Sequence, residues 1–60
     1  MKYNVTIRWK SRSETIPIEA DQAHDIAALA LEKLNSQRRQ RRLKPVRSQD
    51  VWETDVRIAD

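Results

Sequence analysis

The side chains best suited to chemistry lie in one short stretch: Arg38, Arg39, Arg41, Arg42, Lys44 and Arg47, with no acidic residue among them. They are half of the chain's twelve lysines and arginines, which stand against nine aspartates and glutamates for a formal net charge of +3. Elsewhere the charges are close to balance or acidic. Lys2, Arg8, Lys10 and Arg12 face Glu14 and Glu19 early in the chain, and Lys33 faces Asp21, Asp25 and Glu32 in the middle. Arg57 faces Asp50, Glu53, Asp55 and Asp60 at the end. Guanidinium groups hold phosphates through forked, charge-assisted hydrogen bonds, and a concentrated positive field attracts polyanions and acidic protein surfaces. Cations are also favourable at a helix C-terminus, but six bases without one acid exceed what capping requires. The basic segment is therefore the expected polyanion-binding site, its partner a nucleic acid or an acidic protein surface.

Other constellations carry less. His24 sits near Asp21 and Asp25, two metal ligands without a third, and reads as an exposed histidine beside a capping aspartate. Glu53 and Asp55 share a strand face, but paired carboxylates need a pocket to split their pKa values, and a sheet this small has little room for one. Glycine is absent. A phosphate-cradling loop, a dinucleotide fingerprint and a nucleophile elbow all depend on it, so none can be built. Left-handed turn positions are expected to fall to asparagine, aspartate or serine. The absence of cysteine removes disulfides and thiolate zinc sites. The expectation is a non-enzymatic protein with no cofactor, no metal and no small-molecule substrate.

The elements that must position the basic segment follow from periodicity. Tyr3, Val5, Ile7 and Trp9 alternate with Asn4, Thr6 and Arg8, the pattern of a half-buried strand. A second alternation sets Ile16, Ile18 and Ala20 against Thr15, Pro17 and Glu19. A four-residue loop closed by Trp9 and Glu14 would join them as a hairpin, with Ile7 opposite Ile16 and Val5 opposite Ile18. Pro17 places the second strand at an edge. Asp21 is the expected N-cap of a helix with Asp25 in its first turn. Its apolar stripe is Ala23, Ile26, Ala27, Ala30, Leu31 and Leu34, and Leu29 points away from it. The helix either stops near Asn35-Ser36 or continues as a projecting extension, and Pro45 ends it by Leu43.

A third strand spans Val51 to Ile58, with Trp52, Thr54, Val56 and Ile58 inward. A right-handed crossover then gives an α+β, two-layer ββαβ fold: a three-stranded sheet of order 2-1-3 with one helix packed on one face. The register pairs Trp9 with Trp52, Val5 with Val56 and Tyr3 with Ile58. All three aromatics then face the core. That leaves none on the open sheet face for stacking bases, as an RNA-recognition sheet requires.

Residues 1–60 form one small ββαβ domain, with a basic helix extension or loop at about 37–49. A chain of this size buries only about 60% of its unfolded surface, and natural domains so small usually add a staple. With no cysteine, self-association is the staple left, so a homodimer is expected. Leu29, Leu43 and Pro17 are the candidate partner or dimer surface, and the exposed second strand could pair with its symmetry mate. No apolar run reaches a membrane span, and MKYNVTIRW lacks the core of a signal peptide. A cytoplasmic location without membrane contact is expected.

Val5-Thr6-Ile7, followed by Ile16-Pro17-Ile18-Glu19-Ala20-Asp21 leading into Asp25-Ile26-Ala27, resembles the DpnD/PcfM-like small ββαβ proteins of phages and mobile elements. In those the strand end Ile-Glu-Ala likewise runs into an alanine-rich helix. The likeness covers roughly the first half of the chain, and the arginine-rich segment departs from it. The resemblance implies a small accessory protein with no established activity and no catalytic residues. A phage-type inhibitor docking on an acidic partner, or by sheet-edge pairing, is the alternative to nucleic-acid binding.

Overall fold

In the computed structural model, residues 1–21 and 25–59 are described. The strands β1 (Lys2–Trp9) and β2 (Arg12–Glu19) form an antiparallel hairpin, followed by α1 (Ile26–Gln40), a single 3-10 turn at Ser48–Asp50 and β3 (Val51–Ile58). The sheet order is β2-β1-β3 with both neighbours antiparallel, and α1 packs on one face. This is the ββαβ fold that the periodicity implies. Val5, Ile7, Trp9, Ile16, Ile18, Ala30, Leu34 and Val46 form the core.

The hairpin differs from expectation by two residues. Val5 pairs with Ile16 and Tyr3 with Ile18, leaving a two-residue loop, Lys10-Ser11, between Trp9 and Arg12. Lys10 takes φ 52°, so lysine fills a left-handed position that asparagine, aspartate or serine was expected to take. The tighter register also places Thr6 opposite Thr15, where their hydroxyls meet at 2.9 Å. A shift of two keeps every side chain on its expected face.

The helix starts later than expected. Asp25, not Asp21, is its N-cap: its Oδ1 accepts from the Ala28 amide at 3.1 Å and its backbone is extended. The expected stripe residue Ala23 and the ligand candidate His24 lie outside the described residues. Leu29, expected off the core face, packs against the core beside Ile26 and Leu31. The buried line down the helix is Ala30 and Leu34.

The third strand spans the expected residues, with Val5 opposite Val56 and Tyr3 opposite Ile58. An irregularity between Arg8 and Trp9 then brings Val51, not Trp52, opposite Trp9. The extra residue of this bulge puts Val51 against the core, and Trp52 is 61% exposed. The expectation of three inward aromatics fails at Trp52 for that reason. Val56 and Ile58 share the helix side of the sheet, yet they remain 42% and 64% exposed. The helix lies over β2 and β1 and leaves β3 largely bare.

Candidate polyanion-binding site

α1 runs on past Asn35-Ser36 and carries Arg38 and Arg39 in its last turn, and from Arg41 the basic segment is a turn and return loop packed back on the helix rather than a projection. After Gln40 the backbone closes a Schellman motif, with Leu43 N–H donating to Arg38 C=O at 2.8 Å and Arg42 N–H to Arg39 C=O at 3.0 Å. Arg42 holds the left-handed position of that motif at φ 59°, where glycine is the unstrained choice. The returning chain is then clamped to the helix by Asn35. Its Nδ2 donates to Val46 C=O at 2.9 Å, and its Oδ1 accepts Val46 N–H at 2.7 Å. Val46 enters the core at 4% exposure. Two apolar and amide anchors thus hold a loop that charge alone would drive into water.

Within this frame the six cations divide. Arg38 is half-buried: its Nε donates to Lys44 C=O at 2.8 Å, and its guanidinium carbon lies 5.4 Å from the centroid of the Trp9 ring. It orders the loop. Arg39, Arg41, Arg42, Lys44 and Arg47 are exposed, and none has an ion-pair partner among the described residues. Topology adds to them. The hairpin tip lies at the same end as the helix C-terminus, so Arg12 joins Arg38 and Arg41 around an open groove of about 350 Å³ with Trp9, Ser13, Glu14 and Leu43. Glu14 is the one carboxylate among the described residues of that groove. Trp52 stands at the same end, its indole Nε1 donating to Lys10 C=O at 2.9 Å.

Arg12, Lys10 and Trp52 are the functional candidates that sequence reasoning missed. For Arg12 and Lys10 a clue was present, because a hairpin followed by a helical crossover between parallel strands brings the first turn to the C-terminal end of the helix. For Trp52 there was none, since strict alternation assigned it to the core and only the bulge releases it.

The open sheet face behaves differently. Arg8 Nε meets Glu53 Oε1 at 2.7 Å, and Arg57 Nε meets Asp55 Oδ2 at 3.1 Å. Glu53 and Asp55 therefore hold separate arginines and do not form a carboxylate pair. No group of three His, Cys, Asp or Glu side chains suited to a metal occurs among the described residues, and no helix is long and apolar enough to cross a membrane. Of the candidate partner residues, Leu43 is 40% exposed beside the basic groove. Pro17 is exposed, and its carbonyl accepts Lys33 Nζ at 2.6 Å. Leu29 is withdrawn into the core edge, so the three do not form one surface.

No family model, no curated protein and no solved structure matches the chain.

Proposed function

We infer that this chain is a small, non-enzymatic accessory protein that binds nucleic acid through the basic segment Arg38–Arg47. A role of that kind suits the resemblance to accessory proteins of phages and mobile elements. One contrast carries the reading. The arginines of the open sheet face, Arg8 and Arg57, are each neutralised by a carboxylate, whereas Arg39, Arg41, Arg42, Lys44 and Arg47 are not. Unneutralised cations on a helix end and an anchored return loop are ready to take phosphate oxygens at little conformational cost. Arg42 supports the same reading, because a strained backbone position is occupied by a cation. Exposed Trp52 at the same end offers a stacking surface, which favours strands or loops with unpaired bases.

The test is a titration of single-stranded DNA, duplex DNA and structured RNA at several salt concentrations. The triple substitution Arg39→Ala, Arg41→Ala, Arg42→Ala is expected to flatten the salt dependence on duplex DNA by roughly 2–3 logarithmic units per decade of salt, at about 0.9 per phosphate contact. Trp52→Ala is expected to weaken binding to single strands more than to duplex. Failure of the wild-type chain to bind any of the three at low salt sinks the nucleic-acid reading. An acidic protein surface, which the same free cations fit, would then take its place.

A further inference from the structure

We propose that two copies of this chain join through β3, edge to edge in an antiparallel register centred on Val56, to form one continuous six-stranded sheet. This goes beyond the basic segment, which lies elsewhere on the molecule and is not consumed by the contact.

The two open edges of the sheet are not equivalent. On β2 the backbone groups that point away from β1 belong to Ser13, Thr15, Pro17 and Glu19, because Ala20 and Met1 exchange hydrogen bonds at 3.1 and 3.2 Å and the ladder alternates from there. Pro17 has no N–H to offer, and Lys33 Nζ already occupies its carbonyl at 2.6 Å. That edge is blunted at its centre. On β3 the phase is set by Ala59, whose N–H donates to Lys2 C=O at 2.9 Å. The same alternation directs Arg57, Asp55 and Glu53 to β1 and leaves the N–H and C=O of Thr54, Val56 and Ile58 pointing outward. No proline, lysine or covering helix protects them. Their side chains lie exposed on the helix side, Val56 and Ile58 apolar and Thr54 a hydroxyl.

The occupant follows from self-complementarity. A two-fold axis normal to the sheet must place a residue opposite itself or its symmetric partner. Centring on Thr54 sets Glu53 against Asp55, two like charges. Centring on Asp55 sets that carboxylate against its own copy. Centring on Val56 sets Val56 against Val56, Thr54 against Ile58 and Asp55 against Arg57 in both directions. Of the three, only this last register sets no like charges opposite one another, while pairing Val56 with itself and each Asp55 with an Arg57. It also satisfies the free backbone groups, with about two hydrogen bonds for each of the three facing pairs. The assembly stops at two copies because each outer edge is then a blunted β2. It also supplies the staple that a cysteine-free domain of this size lacks.

Sedimentation equilibrium from micromolar to millimolar concentration tests this. The wild-type chain is expected to approach twice its 7.1 kDa mass as concentration rises. Asp55→Arg places arginine against Arg57 across the axis, and Arg57→Asp places aspartate against Asp55, so each variant alone is expected to stay at one chain mass. Mixed in equal amounts, the two variants restore opposite charge at both positions and are expected to regain the dimer mass. Arg57 is exposed and Asp55 half-buried on the open sheet face, and circular dichroism of each variant confirms that the fold is kept. A wild-type chain that stays monomeric to millimolar concentration overturns the proposal. So does a mixture that stays monomeric while the wild type dimerises, because another surface then holds the dimer.

Discussion

The two edge strands are equal in length and alike in pattern, yet they live in different surroundings. β2 presents Ile16 and Ile18 to the helix at 2% and 7% exposure, whereas β3 presents Val56 and Ile58 to the same side at 42% and 64%. Alternation decides which residues share a face of a sheet. It does not decide whether a single helix, narrower than three strands, reaches across to cover them. Here α1 lies over β1 and β2, and its Lys33 extends to Pro17 at the far rim. The molecule is thus a well-covered half, β1–β2–α1, with a less covered half made of the return loop and β3.

The largest expected effects would break or confirm that division directly. Ile16→Ala removes a fully enclosed side chain from the covered half and is expected to cost about 2–5 kcal/mol. A core of this size supplies roughly 3–5 kcal/mol in all, so that variant should lose most of its stability. Val56→Ala, directly across β1 from Ile16, is expected to cost less than about 1 kcal/mol, since much of the side chain is already in water. Urea denaturation of both variants, at concentrations low enough to keep the chain monomeric, makes the comparison. Equal losses would show that β3 is covered as well as β2.

What could be read from the sequence follows the same line. Strand identities and the inward parity of Val5, Ile7, Ile16 and Ile18 rest on a period of two, which survives the hairpin's two-residue shift, and the sheet order rests on the handedness of the crossover. The basic segment was legible as composition. Its shape was not, because a Schellman turn with arginine in the left-handed position and a clamp from Asn35 to a residue eleven positions on are tertiary choices. Neither leaves a mark in propensity. Trp52 was misplaced because one bulged residue breaks alternation without any glycine or proline to announce it.

A smaller effect is expected at the clamp. Asn35 is the polar anchor of the loop that leads from the covered half into β3, and both of its amide bonds go to Val46. Asn35→Ala leaves the Val46 N–H and C=O without partners in a partly buried position, at a cost of about 1–3 kcal/mol. The loss should fall first on the less covered half. Amide exchange of Asp55 and Arg57 in β3 is expected to accelerate more than that of Ile16 and Ile18 in β2. Uniform acceleration would instead mean that the two halves open together, and the distinction between them would be one of burial alone.

The finest test uses the two left-handed residues, one in each half. Lys10 at φ 52° closes the β1–β2 hairpin, and Arg42 at φ 59° turns the chain toward β3. Replacing either by glycine relieves a steric cost of roughly 1–2 kcal/mol and adds back about 0.5–1 kcal/mol of unfolded-chain entropy. The net gain is about 0–1.5 kcal/mol at each site. The two gains should nevertheless appear in different places. If β3 and its loop open while the hairpin stays formed, Lys10 keeps its strain in both the closed and the partly open state. Lys10→Gly then slows exchange only for amides that need global unfolding, such as Ile16 and Ile18, and leaves Asp55 and Arg57 unchanged. Arg42 loses its strain in the partly open state as well as in the unfolded one, so Arg42→Gly slows exchange in both strands. The same slowing of β3 by both variants would place β3 and the hairpin in one cooperative unit, because a gain made in the hairpin reaches β3 only if the two unfold together.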